Sequence, residues 1–233
     1  MNKFIHAIKD LDKAAVEEIL QNEPKWISWA EDDGKNALHY LCGTIVGDDE
    51  EQAGISLKLL QLLLNNGIDI NAIQQVKEGC GFFPAMPLWY AYTRGRNKKL
   101  YTWLLANGAN PEHCMFAIAW YNDTEAAALF KNHGANIEAV ADGVTPFMSA
   151  FLWKRYEVAQ WFLENGANVD AADNNGNTAL FFAVKRKLKP EQINLLLRFG
   201  ADINKENNHG ISPKKLAEQN HRRNILKQFE TYQ

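Results

Sequence analysis

FLENGANVDAADNNGNTALFFAV, residues 162–184, sets a polar phrase between two apolar runs. Asn165-Gly166 stands where the first run stops, and a glycine just past a helix end supplies the left-handed residue that closes the last carbonyls. Gly176, ringed by asparagines, reads as a turn. Thr178 follows it, and a threonine side chain can cap the orphan amides of a new helix. The stretch therefore reads as the end of one helix, a hairpin-like turn and the start of another.

Nearly the same phrase recurs. NNGIDINA covers 65–72, ANGANPEH 106–113, NHGANIEA 132–139, ENGANVDA 164–171 and RFGADINK 198–205. The glycines Gly67, Gly108, Gly134, Gly166 and Gly200 are 41, 26, 32 and 34 residues apart. A drifting period of this size marks a repeat array. Residues 142–170 display one unit. Thr145-Pro146 starts a short helix, since proline at the first helical position loses no hydrogen bond. A second helix, YEVAQWFLEN, carries Val158, Ala159, Trp161, Phe162 and Leu163 at helical spacing. So short a pair cannot bury its apolar faces alone, so neighbours must stack.

DNNGNTALFFAV (173–184), GVTPFMSAF (143–151), DDGKNALHYL (32–41) and NHGISPKKLA (208–217) share the first half of the unit. The pattern is similar to the ankyrin repeat, Asp-x-x-Gly-x-Thr-Pro-Leu-His followed by a second helix and Gly-Ala-Asp-x-Asn. The resemblance covers essentially the whole chain. It implies an all-α ankyrin-repeat solenoid of about seven helix-turn-helix units with short hairpin loops, forming a single domain over 1–233. Residues 1–31 are expected to be an N-terminal capping unit and 207–233 a charged C-terminal one. Units two to four are irregular. Unit two carries extra residues at 43–54, unit three begins after a long loop at 73–85, and unit four lacks its hairpin.

At 233 residues, with 46% hydrophobic and 23% charged residues, the chain can bury a sizeable core. A net charge of −3 offers no basic excess for phosphates, so neither nucleic acid nor a membrane surface is expected as partner. Three cysteines without framework spacing suit a reducing compartment. The N-terminus has no uninterrupted apolar segment, so a cytoplasmic location is expected, compatible with delivery into a host cell. A monomer is expected.

No catalytic constellation emerges, and no cofactor or metal is expected. His39 and Cys42 stand three apart and His113 adjoins Cys114, but no second pair completes a zinc site. In the resemblance His39 is the motif histidine that orients neighbouring turns. The acids of GDDEEQAG lack the alternating ligand spacing of a calcium loop and read as a solvated segment. The chain is thus read as non-catalytic. A second reading, from another class, is a small-ligand-binding or modifying enzyme with its site near Cys80, His113 and Trp120.

The resemblance implies a partner protein or peptide bound in a concave groove. By register, the first helices present Gly43 and Thr44, Thr93 and Arg94, Trp120 and Tyr121, Leu152 and Trp153, and Lys185 and Arg186. A groove-edge position holds Tyr40, Tyr90, Ala117, Ser149 and Phe182. The expected partner-binding set is Tyr90, Arg94, Trp120, Tyr121, Leu152, Trp153, Phe182, Lys185 and Arg186, with Phe82 and Phe83 on the rim. Aromatics and arginine are enriched in interface hot spots.

Overall fold

The structure, a computed structural model, describes residues 2–47, 49–79 and 81–232. Contacts divide it into two compact units, Met1–Cys114 and Met115–Gln233. Among the described residues the helices come in pairs. The first unit holds α1 (Lys3–Lys9) and α2 (Lys13–Asn22), α3 (Ala37–Cys42) and α4 (Glu50–Asn65), and α5 (Pro87–Thr93) and α6 (Lys98–Ala106). The second holds α7 (Cys114–Tyr121) from its second residue on and α8 (Thr124–Asn132), α9 (Pro146–Leu152) and α10 (Tyr156–Glu164), α11 (Ala179–Lys185) and α12 (Pro190–Arg198), and α13 (Pro213–Gln219) and α14 (Arg223–Thr231).

Within each unit like helices stack on like. α3 packs on α1 and α5, and α4 on α2 and α6; in the second unit α11 packs on α9 and α13, and α12 on α14. The cores are aliphatic and aromatic. Leu59, Leu60, Leu100 and Leu104 are fully buried in the first unit, as are Phe130, Phe147, Phe162 and Leu196 in the second. Each such side chain contributes about 1.5–3 kcal/mol of burial.

The recurring phrase has a recurring geometry. Gly166 holds φ 93°. Its N–H donates to Leu163 at 3.1 Å, and the N–H of Ala167 donates to Phe162 at 2.9 Å. That is the paired closure of a helix end by a left-handed residue. Two residues on, the Asn168 side chain accepts from the Asp170 N–H at 2.9 Å. Asp69, Asn110, Asn136 and Asp202 make the same bond two residues ahead. The second polar residue then links repeats. Asn71 accepts from the Asn110 N–H at 2.7 Å, Glu138 from that of Asn168 at 2.7 Å, and Asp170 from that of Asp202 at 3.0 Å. The phrase is therefore a relay: one side chain shapes its own turn and the next fixes the turn of the following repeat.

Two stretches differ from expectation. Residues 73–85 are not an irregular loop. Strands β1 (Gln74–Glu78) and β2 (Gly81–Ala85) pair antiparallel, Gln74 opposite Ala85 and Glu78 opposite Gly81. The hairpin is tied down at its base, where the Gln75 N–H donates to the Asp33 carbonyl at 2.7 Å. About half of the extra segment at 43–54 is helical: Asp49 caps Gln52 at 2.9 Å and α4 begins at Glu50. A short 3₁₀ turn, Pro24–Ser28, also follows α2. No described helix is long and apolar enough to cross a membrane.

Candidate interaction surface

The ends of the first helices in the second unit carry its exposed rings. α7 is nearly all apolar, CMFAIAWY, and buries Met115, Ile118 and Ala119 at 0–2% exposure. Trp120, one step round from them, is left 50% exposed. α9 buries Pro146 to Phe151 and closes on Trp153, which is 40% exposed. The two indoles meet edge to face, centroids 5.2 Å apart. This geometry suits the opposed edge and face charges of aromatic rings.

Two arginines hold the rings in place. Arg155 donates from Nε to the Trp120 carbonyl at 2.9 Å, and its guanidinium lies 5.7 Å from the Trp120 ring centroid. Arg186 donates to the Leu152 carbonyl at 3.2 Å and lies 5.3 Å from the Phe182 ring. Each arginine therefore caps the preceding repeat's first helix, where carbonyls lack partners and a cation is favoured. Tyr121, Leu152 and Phe182 are half-buried, whereas Lys185 is exposed with its ammonium 6.0 Å from the Phe181 ring. Among the described residues no carboxylate pairs with Lys154, Arg155, Lys185, Arg186 or Lys187. The carboxylates nearby serve the fold. Glu157 accepts from the Asn122 amide at 2.8 Å, and Asp123 caps the Ala126 N–H at 2.9 Å.

In the first unit the expected positions split. Arg94 is exposed at the end of α5. Tyr90 is not on the surface: it is 8% exposed, a correction to its expected place at the groove edge. Its hydroxyl donates to Gln74 at 2.5 Å, and Gln74 in turn donates to Asp33 at 2.6 Å. Its ring stands edge-on to His39 at 5.6 Å and fills space above Gly43, where a Cβ would lie 3.2 Å from Tyr90 Cδ1. Ser149, at the corresponding position of α9, is also buried. Phe82 projects from the hairpin, 67% exposed, while Phe83 packs 5.2 Å from Trp89 and 5.5 Å from His113.

The residues of the enzyme reading do not form a described site. Cys80 lies outside the described residues. His113 is held against Phe83, and Trp120 belongs to the second compact unit. Burial raises the thiol pKa of Cys42 and Cys114 far above the usual range, which leaves both poor nucleophiles. Among the described residues no cluster of three His, Cys, Asp or Glu could hold a metal ion. His39 is fully buried; it accepts from the Asn36 N–H at 3.3 Å and sits 3.2 Å from the Ala85 carbonyl.

Sequence reasoning missed Arg155. It opens α10, at the position where Asp12, Asp49, Asn97 and Asp123 cap the earlier second helices with their side chains. A cation replacing a capping acid was the available signal.

Models described as "Ankyrin repeats (3 copies)" and "Ankyrin repeats (many copies)" match residues 88–173 and 150–197. The putative ankyrin repeat protein L92 of Acanthamoeba polyphaga mimivirus is 46% identical over 59 residues, 24% of this chain and 14% of that protein. The putative ankyrin repeat protein FPV031 of Fowlpox virus (strain NVSL) is 35% identical over 77 residues, 33% of this chain and 22% of the relative. The matched stretches thus span under a quarter of either relative. Among solved structures, the ankyrin repeat domain of human ASB11 superposes with a TM-score of 0.68 at 21% identity, covering 93% of this chain and 91% of that one. The ankyrin repeat domain of Bcl-3, a member of the IkappaB family, gives 0.71 at 20% identity, with 93% of each chain covered.

Proposed function

The chain is an ankyrin repeat protein, and on that premise we propose that it is a non-catalytic interaction module whose second unit binds a partner protein at the ends of its first helices. The exposed Trp120–Trp153 pair carries this reading. Two touching indoles left 50% and 40% open are apolar surface that nothing in the second unit covers. Contiguous exposed aromatic surface marks interaction sites. Tyr121, Leu152, Phe182, Lys185 and Arg186 complete the surface, and Arg155 joins it as the residue that fixes Trp120. Arg94 is a contact of the same kind in the first unit. Fold alone carries no partner identity.

The test is an affinity pull-down from cytosol with the wild type and a Trp120→Ala/Trp153→Ala variant matched for helicity and melting temperature. A partner captured by the first and lost by the folded second supports the surface. Retention of the partner by the folded variant moves the interaction elsewhere, with the exposed Phe82 hairpin next in line. Unfolding of the variant would make the rings core rather than surface.

A further inference from the structure

The interaction surface of the second unit has a charge that its own residues do not satisfy. Lys154, Arg155, Lys185, Arg186 and Lys187 cluster around Trp120, Trp153 and Phe182 without a carboxylate partner among the described residues. Arg155 also stands where local physics disfavours a cation. The N-cap of a second helix is Asp or Asn in the first four pairs and Arg155, Lys189 and Arg222 in the last three, none of which makes a side-chain cap bond. A cation at that end opposes the helix dipole. A local rule broken on an exposed face is a sign of function there.

Resting on the interaction reading above, we infer that the partner is an extended acidic peptide segment with an aromatic or large aliphatic residue between its acids, laid across Trp120, Trp153 and Phe182. Charge complementarity selects the acids. Each guanidinium is already tethered to a helix-end carbonyl and stacked on a ring, so little side-chain entropy is lost when it meets a carboxylate. The spacing selects the extended form. Arg155 and Arg186 are tethered to Trp120 and Leu152, equivalent residues of successive first helices, and packed helices lie about 8–10 Å apart. Extended chain rises about 3.3 Å per residue, so acids three residues apart meet successive arginines. The side chain between them rests on Trp153.

The experiment is selection from a phage-displayed random dodecapeptide library on the immobilised full chain, each clone rescreened on Trp120→Ala/Trp153→Ala and on Lys185→Glu/Lys187→Glu. Both lysines are exposed and, among the described residues, their side chains make no ion pair or hydrogen bond, Lys185 only approaching the Phe181 ring at 6.0 Å, so their replacement should leave the fold intact. A fluorescein-labelled consensus peptide, the same peptide with every acid changed to lysine, and a ten-nucleotide poly(U) RNA are then titrated by anisotropy. The expected consensus is Asp or Glu at every third position with an aromatic or aliphatic residue between. Its affinity should fall at least about 30-fold on the indole variant. It should also fall on the lysine variant and in high salt, and the lysine peptide and the RNA should not compete. Clones without acidic enrichment that still fail on the indole variant overturn the partner chemistry and leave the interaction surface standing. Clones that bind both variants as well as wild type overturn the surface itself. RNA binding as tight as the peptide overturns the peptide assignment, and so does a selection that yields no binder.

Discussion

Acidification should weaken the first unit through one buried imidazole. His39 is fully buried, and that burial pulls its pKa down to about 4, aided by the charge of Lys35 and opposed by the Ala85 and Ala72 carbonyls and Asp33. In the unfolded chain the ring titrates near 6.5. Above that value both states are neutral and the group has no effect on stability. Between about 6.5 and 4 only the unfolded chain takes up the proton, so stability falls with pH. At about 1.4 kcal/mol per unit the full loss is about 3 kcal/mol. The assay is urea unfolding followed by far-ultraviolet circular dichroism from pH 7.5 to 4 for the wild type and His39→Gln. Surface carboxylates titrate alike in both and cancel in the difference. At pH 7.5 the variant should be less stable by about 1–3 kcal/mol, having lost the bonds to Asn36 and Ala85. The difference should move by about 3 kcal/mol in the variant's favour on reaching pH 4, so that the gap closes or reverses. Parallel curves across this range would show that the folded state accommodates the imidazolium, and would refute the desolvation account.

Gly95→Ala should destabilise by about 2 kcal/mol or more in the same unfolding assay, because its Cβ would lie 2.2 Å from the Cys42 carbonyl oxygen. Gly54→Ala, within α4 and with nothing in range of its Cβ, should instead stabilise by about 0.5–1 kcal/mol. Asp170→Ala removes the acceptor for the Asp202 N–H and should cost about 1–2 kcal/mol, with amide exchange at Asp202 accelerated in hydrogen-exchange mass spectrometry. Trp120→Ala should cost under about 1.5 kcal/mol by thermal melting, against about 3–5 kcal/mol for the fully buried Phe162→Ala. A larger loss at Trp120 would mean that its ring is structural.

The helix pairs were legible because their signals are local. Glycine closes the second helices at Gly108, Gly134, Gly166 and Gly200, and Thr145, Thr178 and Ser212 cap the first helices with their own hydroxyls. The hairpin at 74–85 was not legible. QQVKE and GFFPA offer little alternation, and what holds the base of β1 is a bond to Asp33, about forty residues away. Tyr90 was misplaced for the same reason, since its burial depends on Gln74 and on the space above Gly43. On the face proposed for interaction, register placed Trp120 and Trp153, which are exposed. It placed Arg186 there too but missed Arg155, and it could not show that both act through carbonyls one repeat earlier. Register along one repeat contains no information about a bond to the previous one.

The relay of turn hydrogen bonds sets a grammar for how such a chain can lengthen. Its donors and acceptors are carried by one short phrase per repeat, and the side chain of one phrase receives the amide of the next. Material added between phrases leaves that hand-off undisturbed. The β1–β2 hairpin is inserted between Asn71 and Asn110, yet Asn71 still receives the Asn110 N–H at 2.7 Å. A single residue added inside the phrase at 164–171 would move the Asn168 donor off Glu138 or the Asp170 acceptor off Asp202 and break the coupling to a neighbour. Variation in length is thus confined to the segments outside the phrase, where new surface can be acquired without reworking the stack.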